Sequence, residues 1–125
     1  VRDALRPLEV AVDLLEQVLD PLDGVRRRGV AGEIGGVWES GDVADDSVIA
    51  ALVERAESEF GPVDLYFANA GVTGGPGLDS TDEQWSTALG VNVLAHVRAA
   101  RRLVPGWVER GSGYFVSTAS APASK

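Results

Sequence analysis

The sequence predicts an α/β fold built on a parallel sheet, and three observations carry that prediction. From residue 37 onward, short apolar runs alternate with longer segments of helical spacing, in the order strand, helix, strand, helix, strand. The strand runs, such as Val63 to Ala68, are apolar almost throughout rather than at alternate positions, as in strands buried on both faces. Capping residues and breakers mark the boundaries: Asp45 or Asp46, Gly61-Pro62, and the pair Thr81 and Gln84. This order reads as βαβ units with helices on both faces of the sheet.

Taken in order, Ala4, Leu5, Leu8, Ala11, Val12, Leu15, Val18 and Leu19 recur at helical intervals and predict a helix over about residues 7–18, with Pro7 near its start. Residues 20–36 hold Pro21, Gly24, Gly29, Gly32, Gly35 and Gly36, enough breakers for a turn and one short helix. A strand over residues 37–41 follows and ends at Asp42. Asp45 or Asp46 then caps a helix whose apolar positions are Val48, Ile49, Leu52, Val53, Ala56 and Phe60. Gly61-Pro62 stops it and leads into a strand over residues 63–68, after which residues 71–80 form a glycine-rich loop.

Thr81 and Gln84 form a capping box that opens a long helix over residues 82–110, with Trp85, Ala88, Leu89, Asn92, His96, Ala99 and Leu103 on one stripe. Pro105 is expected to kink it, and Gly111 or Gly113 to end it. The last strand covers residues 114–117.

Bulk properties narrow the function. At 125 residues the chain has the length of one domain, large enough for a single core. A formal net charge of −8 repels nucleic acid and anionic lipid, and Arg26-Arg27-Arg28 reads as a solvated helix face. No apolar run is long enough to span a bilayer. His96 is the single histidine and has no spaced set of ligand residues around it, so no metal site is expected. The absence of cysteine makes a cytoplasmic location the default expectation.

Ligands of parallel α/β sheets bind at the carboxyl ends of the strands. Those ends are Asp42-Val43, Asn69-Ala70-Gly71 and Ser117-Thr118-Ala119-Ser120, all polar or small, although turns favour the same residues. Together with Asn92 in "GVNVLAH" and the final "GYFVSTASA", they resemble, in order and separation, the middle of the short-chain dehydrogenase/reductase family. The resemblance covers about residues 33–121. It implies a Rossmann-type fold, an NAD or NADP cofactor, and hydride transfer between the cofactor and a small alcohol or carbonyl substrate.

Carried over by position, the resemblance makes Asp42, with Val43, the adenine contact. Asn69 stabilises the central strand, and Ala70-Gly71 let backbone approach the ribose. Asn92 matches an asparagine that holds a water in a proton relay; it interrupts an apolar stripe, where an unpaired buried amide would cost about 1–3 kcal/mol. A hydrogen bond to nearby backbone is the alternative for it. Ser120 matches the catalytic serine, which hydrogen-bonds the substrate oxygen as charge develops on it.

Two parts of the family pattern are missing. The family's proton transfer uses a tyrosine with a lysine one helical turn later. Here the tyrosines are Tyr66 and Tyr114, followed four residues on by Ala70 and Thr118, and the only lysine is Lys125. An unperturbed phenol, with a pKa of about 10, is a poor base at neutral pH. The glycine-rich phosphate loop also lacks a counterpart, because "GVAGEIGG" at residues 29–36 precedes a strand instead of following one and resembles the end of a family helix.

The expectation is therefore an incomplete Rossmann-like domain, a truncated central fragment lacking the first strand, its glycine loop and the C-terminal part. Residues 1–36 match poorly and residues 37–121 form a βαβαβ core. Its function is that of an NAD(P)-dependent oxidoreductase, with no activity expected from this chain alone. The alternative is a non-catalytic nucleotide-binding or dimerisation module that associates through the helix at residues 82–110.

Overall fold

A computed structural model describes residues 10–12, 31–73, 75 and 77–119. Its sheet contains three parallel strands in the order β1–β2–β3: β1 (Val10–Val12), β2 (Leu65–Ala68) and β3 (Tyr114–Ser117). Val10 pairs with Leu65 on one side of β2, and Tyr114 with Leu65 on the other. Two main helices are α1 (Asp46–Phe60) and α3 (Ala95–Arg110), and α3 continues a shorter α2 (Asp82–Leu89) through a wide turn at Gly90–Leu94.

The caps read from the sequence are present. The Asp45 carboxylate accepts from the Ser47 amide at 2.8 Å and starts α1. Thr81 and Gln84 exchange both bonds of a capping box at the start of α2. At the far end Gly111, with φ of 72°, takes the left-handed conformation that closes α3. The helix runs through Pro105; this residue and Arg101 are both exposed, so water can serve the carbonyl that the proline ring leaves unpaired.

The core lies between one face of the sheet and the two main helices. Tyr66 and Ala68 of β2 meet Ile49, Val53 and Ala56 of α1 and Ala95, Ala99, Leu103 and Trp107 of α3. Phe115 stacks on Tyr66 with ring centroids 5.4 Å apart. Because side chains alternate along a strand, Leu65, Phe67, Tyr114 and Val116 occupy the opposite face, half-buried or exposed. At the amino end of the sheet the Trp107 indole donates to the Val63 carbonyl at 2.6 Å, and Arg110 donates to that carbonyl and pairs with Asp64 at 2.9 Å.

Three expectations need correction. Residues 10–12, placed in a helix over 7–18, are a strand; the rest of that segment lies outside the described residues. A short apolar run fits helix and strand periodicities alike, and here the backbone of β2 takes a parallel partner that a helix could not supply. Residues 37–41, expected as a strand, join no ladder among the described residues; β1 stands beside β2 instead, and Glu39 turns to Arg55 of α1 at 3.0 Å. The long helix buries Ala88, Gly90, Val91, Ala95, Ala99, Leu103 and Trp107, while Trp85, Leu89 and Asn92 are exposed. In the turn at 90–94, the Ala95 amide bonds back five residues to Gly90. Residues of such a turn advance less than the α-helical ~100° each, so a stripe extrapolated at α-helical spacing drifts off the core.

Candidate functional site

The residues at the carboxyl ends of β2 and β3 are joined to each other. The Thr118 amide bonds the Ala68 carbonyl at 3.0 Å, extending the ladder by one step. The Thr118 hydroxyl donates to Asn69 Oδ1 at 2.7 Å. Asn69 thus ties the end of the central strand to its neighbour.

The long helix contacts each segment of the candidate crevice within residues 90–98. Asn92 receives the Val72 amide on Oδ1 at 2.9 Å and donates Nδ2 to the Val72 carbonyl at 2.8 Å. Expected to be a buried amide in need of a partner, Asn92 is instead exposed at the rim, with donor and acceptor both engaged by one backbone unit. The alternative raised for it, a bond to nearby backbone, is what the structure holds. His96, one turn on, shares a hydrogen bond of 2.8 Å between Nδ1 and Ser117 Oγ, while its Nε2 is buried without a hydrogen-bond partner. Arg98 reaches the third segment by donating to the Ala44 carbonyl.

That third segment is a tight turn. Asp42 accepts from the Ala44 amide on Oδ1 at 2.8 Å and from the Asp45 amide on its carbonyl at 2.9 Å, while its carboxylate remains at the surface. Val43 is 2% exposed and packs in the core, so what it can offer a ligand is backbone. Ala70 is buried in the same cluster and is limited in the same way. Beside the turn, the Asp45 carboxyl is held below its ordinary range, first by the Ser47 hydroxyl and amide and then by the charge of Arg98.

Gly71 is exposed, its φ is not positive, and a Cβ built on it would meet nothing nearer than Asn92 Oδ1 at 3.5 Å, an ordinary contact. The protein itself therefore gives no reason for glycine there. A strand end beside Asn69, where the protein offers one contact at ordinary distance, suits close approach of a ligand to bare backbone. By this test the residues present fit the ribose side of a dinucleotide.

Ser120, the expected catalytic serine, lies outside the described residues, as do Lys125 and the first two residues, Gly29 and Val30, of the glycine-spaced stretch. Neither tyrosine replaces the missing proton donor. Tyr66 is 1% exposed inside the core, and Tyr114 begins β3, at the end of the sheet away from the crevice. Sequence reasoning missed Arg98 and the Ser117 pairing of His96. The one available signal was spacing, since both lie within two turns of Asn92 on the same helix. Among the described residues no group of three or more His, Cys, Asp or Glu is arranged to hold a metal ion, and no helix is long and apolar enough to cross a membrane.

Comparison with known proteins identifies the family and the fold. The family model described as short chain dehydrogenase matches residues 31–125. An uncharacterized NAD-dependent oxidoreductase of Mycobacterium tuberculosis is 39% identical over 83 residues, 66% of this chain and 30% of that protein. The L-sorbose reductase of Gluconobacter frateurii, solved with NADPH and L-sorbose, matches with a TM-score of 0.66 at 33% identity, over 79% of this chain and 40% of the other. The 3-ketoacyl-(acyl-carrier-protein) reductase of Brucella melitensis, solved with NADH, matches with a TM-score of 0.69 at 30% identity, over 79% of this chain and 44% of the other. The chain spans less than half the length of each of these relatives. The described residues form part of a Rossmann-type fold.

Proposed function

The chain belongs to the short chain dehydrogenase family, and from that premise we propose that it supplies the adenosine side of the cofactor crevice of an NAD(P)-dependent oxidoreductase acting on a small alcohol or carbonyl compound. Asp42 offers its carboxylate, and Val43 its backbone, to the adenine. Asn69, Ala70 and Gly71 present the end of β2 to the ribose. The cofactor supplies the hydride chemistry, and Ser120 meets the substrate oxygen. Asn92 holds the loop at Val72 in place through both edges of its amide; the water of a proton relay, which the family resemblance implies for this position, is a further role for the same residue.

The observation that supports this reading is Gly71, a glycine that nothing in the protein requires. Proton transfer needs a tyrosine–lysine pair that the sequence lacks, so this chain by itself binds cofactor without turning substrate over. A cytoplasmic setting accompanies the reading, as it does for a chain free of cysteine.

The test is fluorescence titration of the chain with NADH and NADPH, beside Gly71→Ala. At a compatible φ the alanine leaves stability unchanged or raises it by about 0.4–1 kcal/mol. Its methyl group weakens cofactor binding by about tenfold or more, equivalent to about 1.4 kcal/mol. Equal binding by the two proteins, or none by the wild type, would overturn the reading.

A second reading, association of two copies through the long helix, is favoured by one observation. Leu94, Val97, Val104 and Val108 recur at intervals of three, seven and four residues on α3 and its junction and are 43%, 44%, 39% and 75% exposed. Sedimentation equilibrium distinguishes a dimer from a monomer, and a monomer at high micromolar concentration would refute it.

A further inference from the structure

We infer that Arg98 is a positioning residue for the adenine contact, acting through the turn at residues 42–45; the inference rests on the oxidoreductase reading of the crevice. The turn carries the Asp42 carboxylate and the Val43 backbone but joins no strand of the described sheet, so the ladder that fixes the ends of β2 and β3 does not fix it. Its position comes from other contacts. Val43 is anchored in the core, and Asp45 caps α1. The remaining point, the Ala44 carbonyl, is held by the partly buried guanidinium of Arg98.

The helix is shaped to make that contact. Gly90 lies against the turn so closely that a Cβ there would meet the Ala44 side chain at 3.2 Å, and Arg98 arrives on the same side two turns later. Arg98 donates to Ala44, whose own amide donates to Asp42 Oδ1 at 2.8 Å. One residue, through the peptides on either side of it, thus links the guanidinium to the candidate ligand-binding carboxylate. Loss of the guanidinium frees the Ala44 carbonyl, lets the turn sample other orientations, and makes cofactor binding bear the ordering of Asp42 and Val43. Lysine keeps the charge and a donor for the Ala44 carbonyl and should recover most of the loss.

The experiment measures AMP and NADH affinity of the full chain by calorimetry for wild type, Arg98→Ala, Arg98→Lys and Arg110→Ala. Arg110 makes a similar guanidinium-to-carbonyl contact, to Val63, at the opposite end of the sheet. It therefore reports any loss that comes only from weakened packing. The expected result is that Arg98→Ala weakens both ligands alike, by about tenfold, that Arg98→Lys recovers most of it, and that Arg110→Ala stays within about twofold of wild type. Wild-type affinity in Arg98→Ala, or equal losses in the Arg98 and Arg110 variants, would overturn the positioning role while the cofactor reading stands. No nucleotide binding by the wild type would overturn both.

Discussion

Replacing Asn92 by alanine removes two hydrogen bonds and little else. The 2.9 Å and 2.8 Å contacts join its amide to the Val72 N–H and C=O, and the side chain lies at the exposed rim rather than in the core. Each such bond contributes about 0.5–1.5 kcal/mol net, and at a solvated rim the pair is worth about 1–2 kcal/mol. That energy is local. It governs detachment of the loop after β2, so it should appear as faster hydrogen exchange at the Val72 amide and not as a change in the slowest amides of α3, such as Ala99.

At about 1.4 kcal/mol per factor of ten, the Val72 amide should exchange about five- to thirtyfold faster in Asn92→Ala, as measured by NMR. Asn92→Asp sharpens the test, because Oδ1 still accepts from the Val72 N–H while the second oxygen faces the Val72 carbonyl without a proton to donate. Near neutral pH it should also open the loop. Below about pH 4 the protonated acid regains a donor and should slow the exchange again. A Val72 amide that exchanges within twofold of wild type in Asn92→Ala would refute the reasoning.

Two further predictions concern stability. A methyl group on Gly113 would lie 2.0 Å from Trp107 Cγ, so Gly113→Ala must displace the indole or the start of β3. Overpacking of about 1–3 kcal/mol, plus about 1 kcal/mol for the strained indole bond to Val63, should lower the melting temperature by roughly 5–15 °C in a near-ultraviolet dichroism melt; an unchanged melt would refute it. Asp45 has a folded-state pKa depressed below its ordinary 3.8, so its ion contributes stability that is present above that value and lost as pH falls through the folded pKa. Asp45→Asn keeps an N-cap acceptor but has no proton to gain. Denaturant melts from about pH 5 down to about pH 2.5 should show wild type losing ground relative to the variant, and parallel curves would contradict this.

What the sequence disclosed follows the range of each interaction. Caps act over three residues, and both Asp45 and the Thr81–Gln84 box are where they were expected. Strands β2 and β3 stood out because their apolar runs are bounded by glycine and proline. By contrast, β1 is a strand only because β2 lies beside it, a fact about residues some 50 positions away. The site divides in the same way. Asn69 and Gly71 could be named from their place at the end of β2, and Asp42 from the family resemblance, since the strand expected before it joins no ladder among the described residues. The bonds of Asn92 to Val72, His96 to Ser117 and Arg98 to Ala44 span 20, 21 and 54 residues, and no local pattern announces them.

The wide turn at Gly90–Leu94 makes the helix a gauge of length as well as a scaffold. It carries Asn92, which reaches Val72, and lies between the Thr81 cap and the residues that reach Ser117 and Ala44. Its five residues cover about the angle of four α-helical ones. Removing one would therefore restore regular α-helical geometry with α2 and α3 nearly in phase but would displace the residues the turn carries, Asn92 among them. Adding one would rotate everything upstream by about 100° relative to α3. Unlike a loop, this stretch does not tolerate gaps: grafts between relatives, and alignments of them, should move residues 90–98 as one block. A single-residue insertion inside it, or a deletion from its regular part at residues 95–98, would leave an intact helix and a sheet with its crevice contacts out of phase.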